Sequence, residues 1–195
     1  MKIIGLTGPS GTGKTTLSDI AATLGYAIID CDKVAREVTD NPQLLAALEK
    51  EFKEVVIDGK LDRKALAQKA FATDEATEKL NGIMLPVIAD AIDKKIKKLE
   101  EIGAEYLLLD APTLYESGED RRCNAVIALL ADEKIRAERI KARDNLTPEQ
   151  LKSRLKASKP DKFYKNRTKY IICNNGDIGF LQDEALKLLL KLKEI

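Results

Sequence analysis

The chain has 195 residues, 44% of them hydrophobic and 33% charged, with a formal net charge of +1. That balance is the one of a globular domain able to bury a core, not of a disordered chain. Histidine and tryptophan are absent and aromatics reach only 5%, which excludes a Ser-His-Asp triad, histidine metal sites and the usual neutral-pH proton shuttle, and predicts an aliphatic core.

The first apolar run, "KIIGLT" at 2–7, is continuously aliphatic, the pattern of a strand covered on both faces of a parallel sheet. It breaks at glycine after too few apolar residues for a signal peptide, and no later stretch approaches the roughly 18 apolar residues of a membrane span. Gly8-Pro9-Ser10-Gly11-Thr12-Gly13-Lys14-Thr15 comes next and fits G-x-x-x-x-G-K-[ST], a phosphate-binding loop placed between a strand and the amphipathic run "TTLSDIAATLG". Bare glycine backbone lets N–H groups turn inward around phosphate oxygens, and the helix that follows adds unpaired amides and its positive dipole end. Gly8, Gly11, Thr12, Gly13, Lys14, Thr15 and Thr16 are the nucleotide-binding candidates. Lys14 reaches toward the β- and γ-phosphates, and the Thr15 hydroxyl is a ligand for Mg²⁺.

The second strand, "YAIID" at 26–30, ends at Asp30, with Asp32 two residues on. In an open parallel sheet, strand C-termini deliver residues to the ligand crevice. With a helix starting near Asp32, Arg36 lies one turn further on the same face. The carboxylate then suits an acceptor hydroxyl and the guanidinium an anionic group on the acceptor. An Asp-x-Asp after a strand also serves as a helix cap, so one aspartate is expected to cap and the other to act.

Residues 31–104 are mostly helical in pattern, far more chain than one crossover needs, and predict a helical lobe inserted into the sheet domain. Within it Ile88, Ile92, Ile96 and Leu99 share one helix face, which Gly103 stops. "EYLLLDA" (105–111, with Asp110 near its end), "AVIALLA" (125–131) and "KYIIC" (169–173) supply three more strands. Between the last two lies a second helical excursion, in which Thr147-Pro148-Glu149-Gln150 reads as a capping box with proline at the first helical position. From Lys134 to Lys169 there are 13 Lys+Arg against 4 Asp+Glu, a basic block suited to nucleic acid or to a phosphorylated small molecule. Leu181, Leu188, Leu189 and Leu192 mark a closing helix. Alternating strands and helices predict an α/β fold with right-handed crossovers. The cysteines Cys31, Cys123 and Cys173 form no CxxC pair, so a reducing cytoplasm is expected in place of a disulfide scaffold.

The phosphate loop, "IDCDKVAREV", "GKLDRKAL", "LLLDAPTLYESG", "ERIKARDNL" and "CNNG" resemble, in order and spacing and nearly end to end, the dephospho-CoA kinases, which are P-loop kinases of the nucleoside-monophosphate-kinase type. The resemblance implies a single domain with a five-stranded parallel P-loop core (1–32, 104–132, 169–195), a helical substrate-binding lobe (33–103) and a mobile helical lid (133–168). It implies transfer of the γ-phosphoryl of ATP to the ribose 3′-hydroxyl of dephospho-CoA, giving CoA and ADP in the last step of coenzyme A biosynthesis. By the same resemblance Asp32 is the general base, Lys14 and the loop amides cradle ATP, and Arg139 and Arg143 close over the phosphates. Asp110 holds Mg²⁺ through water, and Asn175 and Gly176 lie near the adenine. ATP, Mg²⁺ and a small-molecule acceptor are the implied partners, with no nucleic acid and no membrane.

The chain departs from the family's usual residues at several points. Leu85-Pro86 stands for His-Pro, Lys159 for a methionine before Pro160, Lys165 for an arginine, and Lys169 and Cys173 for aspartates. Lysine lacks arginine's bidentate fork, and these changes leave open a kinase for another nucleotide or small metabolite. A nucleic-acid-binding P-loop ATPase is the other alternative. Against it, Phe163, Tyr164 and Tyr170 are the only aromatics in or beside the basic block, short of a stacking array.

Overall fold

Branched and leucine-rich strands build the centre of the molecule. The computed structural model describes residues 1–194. In chain order its main elements are β1 (Lys2–Thr7), α1 (Lys14–Thr23), β2 (Ala27–Asp30), α2 (Cys31–Glu37), α3 (Pro42–Phe52), β3 (Val56–Ile57), β4 (Lys60–Leu61), α4 (Arg63–Ala70) and α5 (Asp74–Glu101). They continue with β5 (Tyr106–Asp110), β6 (Ala125–Leu130), α6 (Glu133–Asp144), α7 (Pro148–Lys156), α8 (Asp161–Lys165), β7 (Tyr170–Cys173) and α9 (Ile178–Lys193). Five strands form one parallel sheet in the order β2-β5-β1-β6-β7. In register, Ile4 lies opposite Leu108 on one side and Ala125 on the other. All five expected strands are present, within a residue of their sequence limits.

The chain divides into two compact units. The first holds residues 1–29 and the chain from Leu99 onward; the second is Asp30–Lys98. In the first, Ile4, Leu6, Leu108, Ile127 and Leu129 pack with Leu17 and Ala21 of α1 and with Leu181, Ala185, Leu189 and Leu192 of α9. Another cluster joins Ala128 and Leu130 to Tyr164, with half-buried Tyr115, Phe163 and Ile171 against them. Helical cover on both faces is why the strands read as unbroken apolar runs. Each fully buried leucine or isoleucine contributes about 1.5–3 kcal/mol through burial.

In the second unit, short helices are fixed by their caps. Asp30 accepts from the Lys33 N–H at 2.9 Å, Asn41 caps α3 with Pro42 at the first position, and Asp62 caps α4. Asp30 is therefore the capping aspartate of the pair read from sequence. Helix α3 buries Leu44, Leu45, Leu48 and Phe52. The helical reading of this stretch missed an antiparallel hairpin, β3–β4. Its turn residues Asp58 and Gly59 have φ of 50° and 74°, the double positive φ that Asp-Gly hairpin turns adopt. Glu49 anchors the hairpin by accepting from the N–H groups of Glu54, Val55 and Val56 at 2.7, 2.9 and 2.8 Å, bonds that hold its carboxyl below the usual carboxylate pKa. Helix α5 runs through Pro86 and closes past Glu101, where Gly103 N–H bonds to Glu100 O and Ala104 N–H to Leu99 O, the double-bonded ending that glycine favours.

Tyr26 locks α9 to the sheet: its hydroxyl donates to Leu189 O at 2.9 Å, and Lys193 lies 5.4 Å from its ring centroid. Burial, with Tyr106 adding to it, pushes the Tyr26 phenol from 10.0 up to about 12. A folded-state pKa above the unfolded one means stability that is whole below pH 10 and lost as pH rises toward 12. Tyr26→Phe should cost about 1 kcal/mol at neutral pH. Urea midpoints should fall less steeply between pH 10 and 12 in this variant than in the wild type; parallel slopes would refute the assignment.

Candidate active site

Within the first unit, β1 ends at Thr7 and the chain turns at Gly8, whose φ is 137°. A Cβ there would stand 2.1 Å from Leu129 O of β6, so only glycine lets the loop pass this carbonyl. Gly13 (φ 100°) opens α1, and a Cβ on it would meet Leu181 at 2.8 Å and the Asn174 amide at 2.9 Å. The first amides of α1 lack partners inside the helix, and Gly13 offers no side chain to cap them. An anion is their natural complement.

Side chains hold the loop's shape. The buried Thr12 donates to Pro9 O at 2.9 Å, and Asn174 donates through Nδ2 to Thr12 O at 2.8 Å. Lys14 curls over the loop, its Nζ donating to Gly8 O at 2.8 Å and to Pro9 O at 3.2 Å. Thr15 is exposed and Thr16 half-buried. At the end of β5, beside β1, Asp110 accepts from the Ser18 hydroxyl at 3.0 Å. Ser18 sits four residues past Lys14 on α1, a partner that sequence reasoning missed.

The basic segment begins where β6 ends. The Asp132 N–H donates to Asn175 Oδ1 at 2.8 Å. Arg139 of α6 donates to Asn174 O at 3.0 Å and to Gly176 O at 2.8 Å. These contacts gather Gly13, Thr16, Arg139, Asn174, Asp177 and Leu181 around a pocket of about 210 Å³. Arg143 points elsewhere: its Nε and Nη2 lie 2.6 and 2.8 Å from the two Asp144 oxygens. Arg154 of α7 grips the same carboxylate. These bonds hold Asp144 below the ordinary carboxylate pKa and raise Arg143 further. The capping box of Thr147 and Gln150 is formed as expected. Asn174, Asp144 and Arg154 were not among the sequence candidates, because each pairing joins residues whose local sequence gives no sign of it.

In the second unit, Asp32 lies in the first turn of α2 and Arg36 in its last, both exposed. Arg63 donates to Thr39 Oγ1 at 3.2 Å and to Arg36 O at 3.4 Å, which fixes the backbone below Arg36. Among the described residues, no group of three or more His, Cys, Asp or Glu side chains stands ready for a metal ion, and no helix is long and apolar enough to cross a membrane.

Comparison with known proteins decides what this site belongs to. Residues 2–179 match the dephospho-CoA kinase family model. Dephospho-CoA kinases of Corynebacterium glutamicum and Corynebacterium jeikeium are 35% and 37% identical, over 97% and 95% of this chain and 96% of each relative. The chain belongs to the dephospho-CoA kinase family. The solved dephospho-CoA kinase of Campylobacter jejuni superposes with a TM-score of 0.72 at 25% identity, covering 100% of this chain and 98% of that one. TT1252 from Thermus thermophilus gives a TM-score of 0.86 at 29% identity, over 97% and 96%. A shikimate kinase from Acinetobacter baumannii (TM-score 0.52, 19% identity, 99% and 95% covered) shares the fold. As a member of the dephospho-CoA kinase family the chain is a kinase with the α/β P-loop fold, and the nucleic-acid ATPase reading is not favoured.

For this dephospho-CoA kinase fold, the close approach at Gly8 sets a sharp expectation. Gly8→Ala places a methyl against Leu129 O in a backbone region alien to L-residues, at a cost of about 2 kcal/mol or more. The variant should melt lower and lose nucleotide binding in titration calorimetry. Wild-type affinity would show that the loop does not need the contact.

Proposed function

We propose that this chain transfers the γ-phosphoryl group of ATP to the ribose 3′-hydroxyl of dephospho-CoA, yielding CoA and ADP as the last step of coenzyme A biosynthesis, in the cytoplasm. The observation that carries the reading is the clamped phosphate loop, braced by Leu129 O and Asn174, in a chain that matches the family over residues 2–179.

In this proposal the loop amides and Lys14 receive the β- and γ-phosphates, and Lys14 exchanges its bonds to Gly8 O and Pro9 O for phosphate oxygens. The pocket beside Arg139, Asn174 and Asn175 takes the nucleoside end. Thr15 and Asp110 offer hard oxygen donors, which suits Mg²⁺, an ion content with few protein ligands. When bound, it would neutralise charge on the triphosphate tail. Arg143 leaves Asp144, which keeps Arg154, and joins Arg139 over the phosphates as the 133–168 segment closes and excludes water. Asp32 accepts the proton of the attacking hydroxyl and Arg36 holds an anionic group of the acceptor. Transfer is in line, with no phosphoenzyme, so that positioning and electrostatics supply most of the rate.

Three of the departures from the family's usual residues have structural surroundings of their own. Lys169 precedes β7 at the sheet edge opposite the phosphate loop, 5.2 Å from the Tyr170 ring. Lys165 pairs with Asp161 at 3.1 Å, and Leu85 is half-buried within α5.

ADP release measured against dephospho-CoA, adenosine, AMP and CMP tests the acceptor; dephospho-CoA should give the highest kcat/KM by a wide margin, and preference for any other member of the panel would overturn the reading. Asp32→Asn should lower kcat roughly 10²–10⁴-fold with ATP affinity little changed. Lys14→Ala should impair ATP binding and turnover together. Near-normal turnover in Asp32→Asn would remove the base from the scheme.

A further inference from the structure

Arg136, on the first turns of α6, is 5% exposed, yet it joins no carboxylate in any ion pair among the described residues. Its Nε is buried without a hydrogen-bond partner, and its Nη2 reaches only the Ser158 hydroxyl at 3.3 Å. A guanidinium withdrawn from water without a counter-ion is costly, and proteins accept that cost where an anion arrives to complete it. The side chain lines a pocket of about 440 Å³ between the start of α6, the end of α7 and the start of α8, together with Ser158, Lys156 and Lys159. None of these residues has a part in the transfer chemistry proposed above.

We propose that this pocket binds a small tetrahedral oxyanion, a phosphate or the phosphoryl group of a small metabolite, with Arg136 as its anchor. The guanidinium edge offers directed N–H donors matched to such an anion. Ser158 adds a hydroxyl, and Lys156 and Lys159 add positive charge at the rim. Asp132, Glu133 and Asp161 also border the pocket, so its lining opposes the concentrated charge of a polyanion and limits the ligand to one compact ion. The site speaks to the phosphate loop: a Cβ on Gly11 would lie 2.8 Å from Arg136 O, so the loop rests on the turn of α6 that carries Arg136. An anion held there steadies that turn from behind.

The test is calorimetric, on the full chain with a non-hydrolysable ATP analogue saturating the phosphate loop, at constant ionic strength. Inorganic phosphate and glycerol phosphate are titrated in separate arms against a chloride control. Wild type should bind at least one of them with defined stoichiometry. If only inorganic phosphate binds, the ligand is the free ion; if glycerol phosphate binds as well, the site accepts phosphomonoesters. Arg136→Gln should weaken binding about tenfold or more. Lys156→Ala with Lys159→Ala, a surface change that leaves the buried arginine in place, should weaken it less. Absence of heat above the chloride control, or affinity unchanged in both variants, overturns the proposal. If the analogue itself does not bind, it is the kinase reading that fails. Phosphate affinity that then vanishes in Lys14→Ala but survives in Arg136→Gln would also refute the second site.

Discussion

The close passage of bare backbone at the end of β1 is the constraint on which the rest of the molecule depends. Gly8 passes under a β6 carbonyl, Gly11 rests on a turn of α6, and Gly13 fits between Leu181 and Asn174. Each neighbour comes from a distant part of the chain, so the phosphate loop has its shape only once the sheet and its flanking helices are in place. The strand order makes this possible. From β1 the chain goes to β2 on the far side of β5, and from β5 it crosses to β6 on the other flank. The loop therefore sits at the point where the direction of winding reverses, the place where open α/β sheets bind ligands. Asp110 and Leu129 flank it because their strands do.

The basic segment shows how charge is divided between recognition and solubility. Its arginines make directed contacts: Arg139 to two carbonyls, Arg143 and Arg154 to one carboxylate, and Arg167 over the Phe163 ring at 3.9 Å. Lys141, Lys152 and Lys156 are exposed. The planar fork suits fixed partners and the ammonium suits water, although Lys165 pairs with Asp161 in the same segment. The surplus of positive charge is a general field; the arginines give it direction.

Much of this was legible in the sequence because physics made it local. Strands covered on both faces must be continuously apolar, and all five stood out. The phosphate loop carries its own spacing, and Thr147 with Gln150 announced a helix start. What stayed hidden had two causes. The β3–β4 hairpin was present as Val-Ile-Asp-Gly-Lys-Leu, but its strands are too short to show alternation inside a helical stretch. Ser18 on Asp110, Asn174 on Thr12 and the grip of Arg143 and Arg154 on Asp144 are polar pairings that periodicity does not encode. Of Asp30 and Asp32, the local pattern leaves the cap open and the structure identifies it, since Asp30 spends its side chain on the Lys33 amide.

The two units differ in the balance of interactions that stabilise them. The first unit is knit by contacts long in sequence, such as Tyr26 to Leu189 and Asn174 to Thr12. A change at any of them propagates through the sheet. The second unit has many near-neighbour bonds: Asp30, Asn41 and Asp62 each cap the helix that follows, and Glu49 holds residues 5–7 positions away, beside longer ties such as Arg63 to Thr39 and Lys95 to Glu37. The phosphate loop is thus constrained by packing against residues far away in the chain, while the starts of the second unit's short helices are set by caps that lie beside them in sequence.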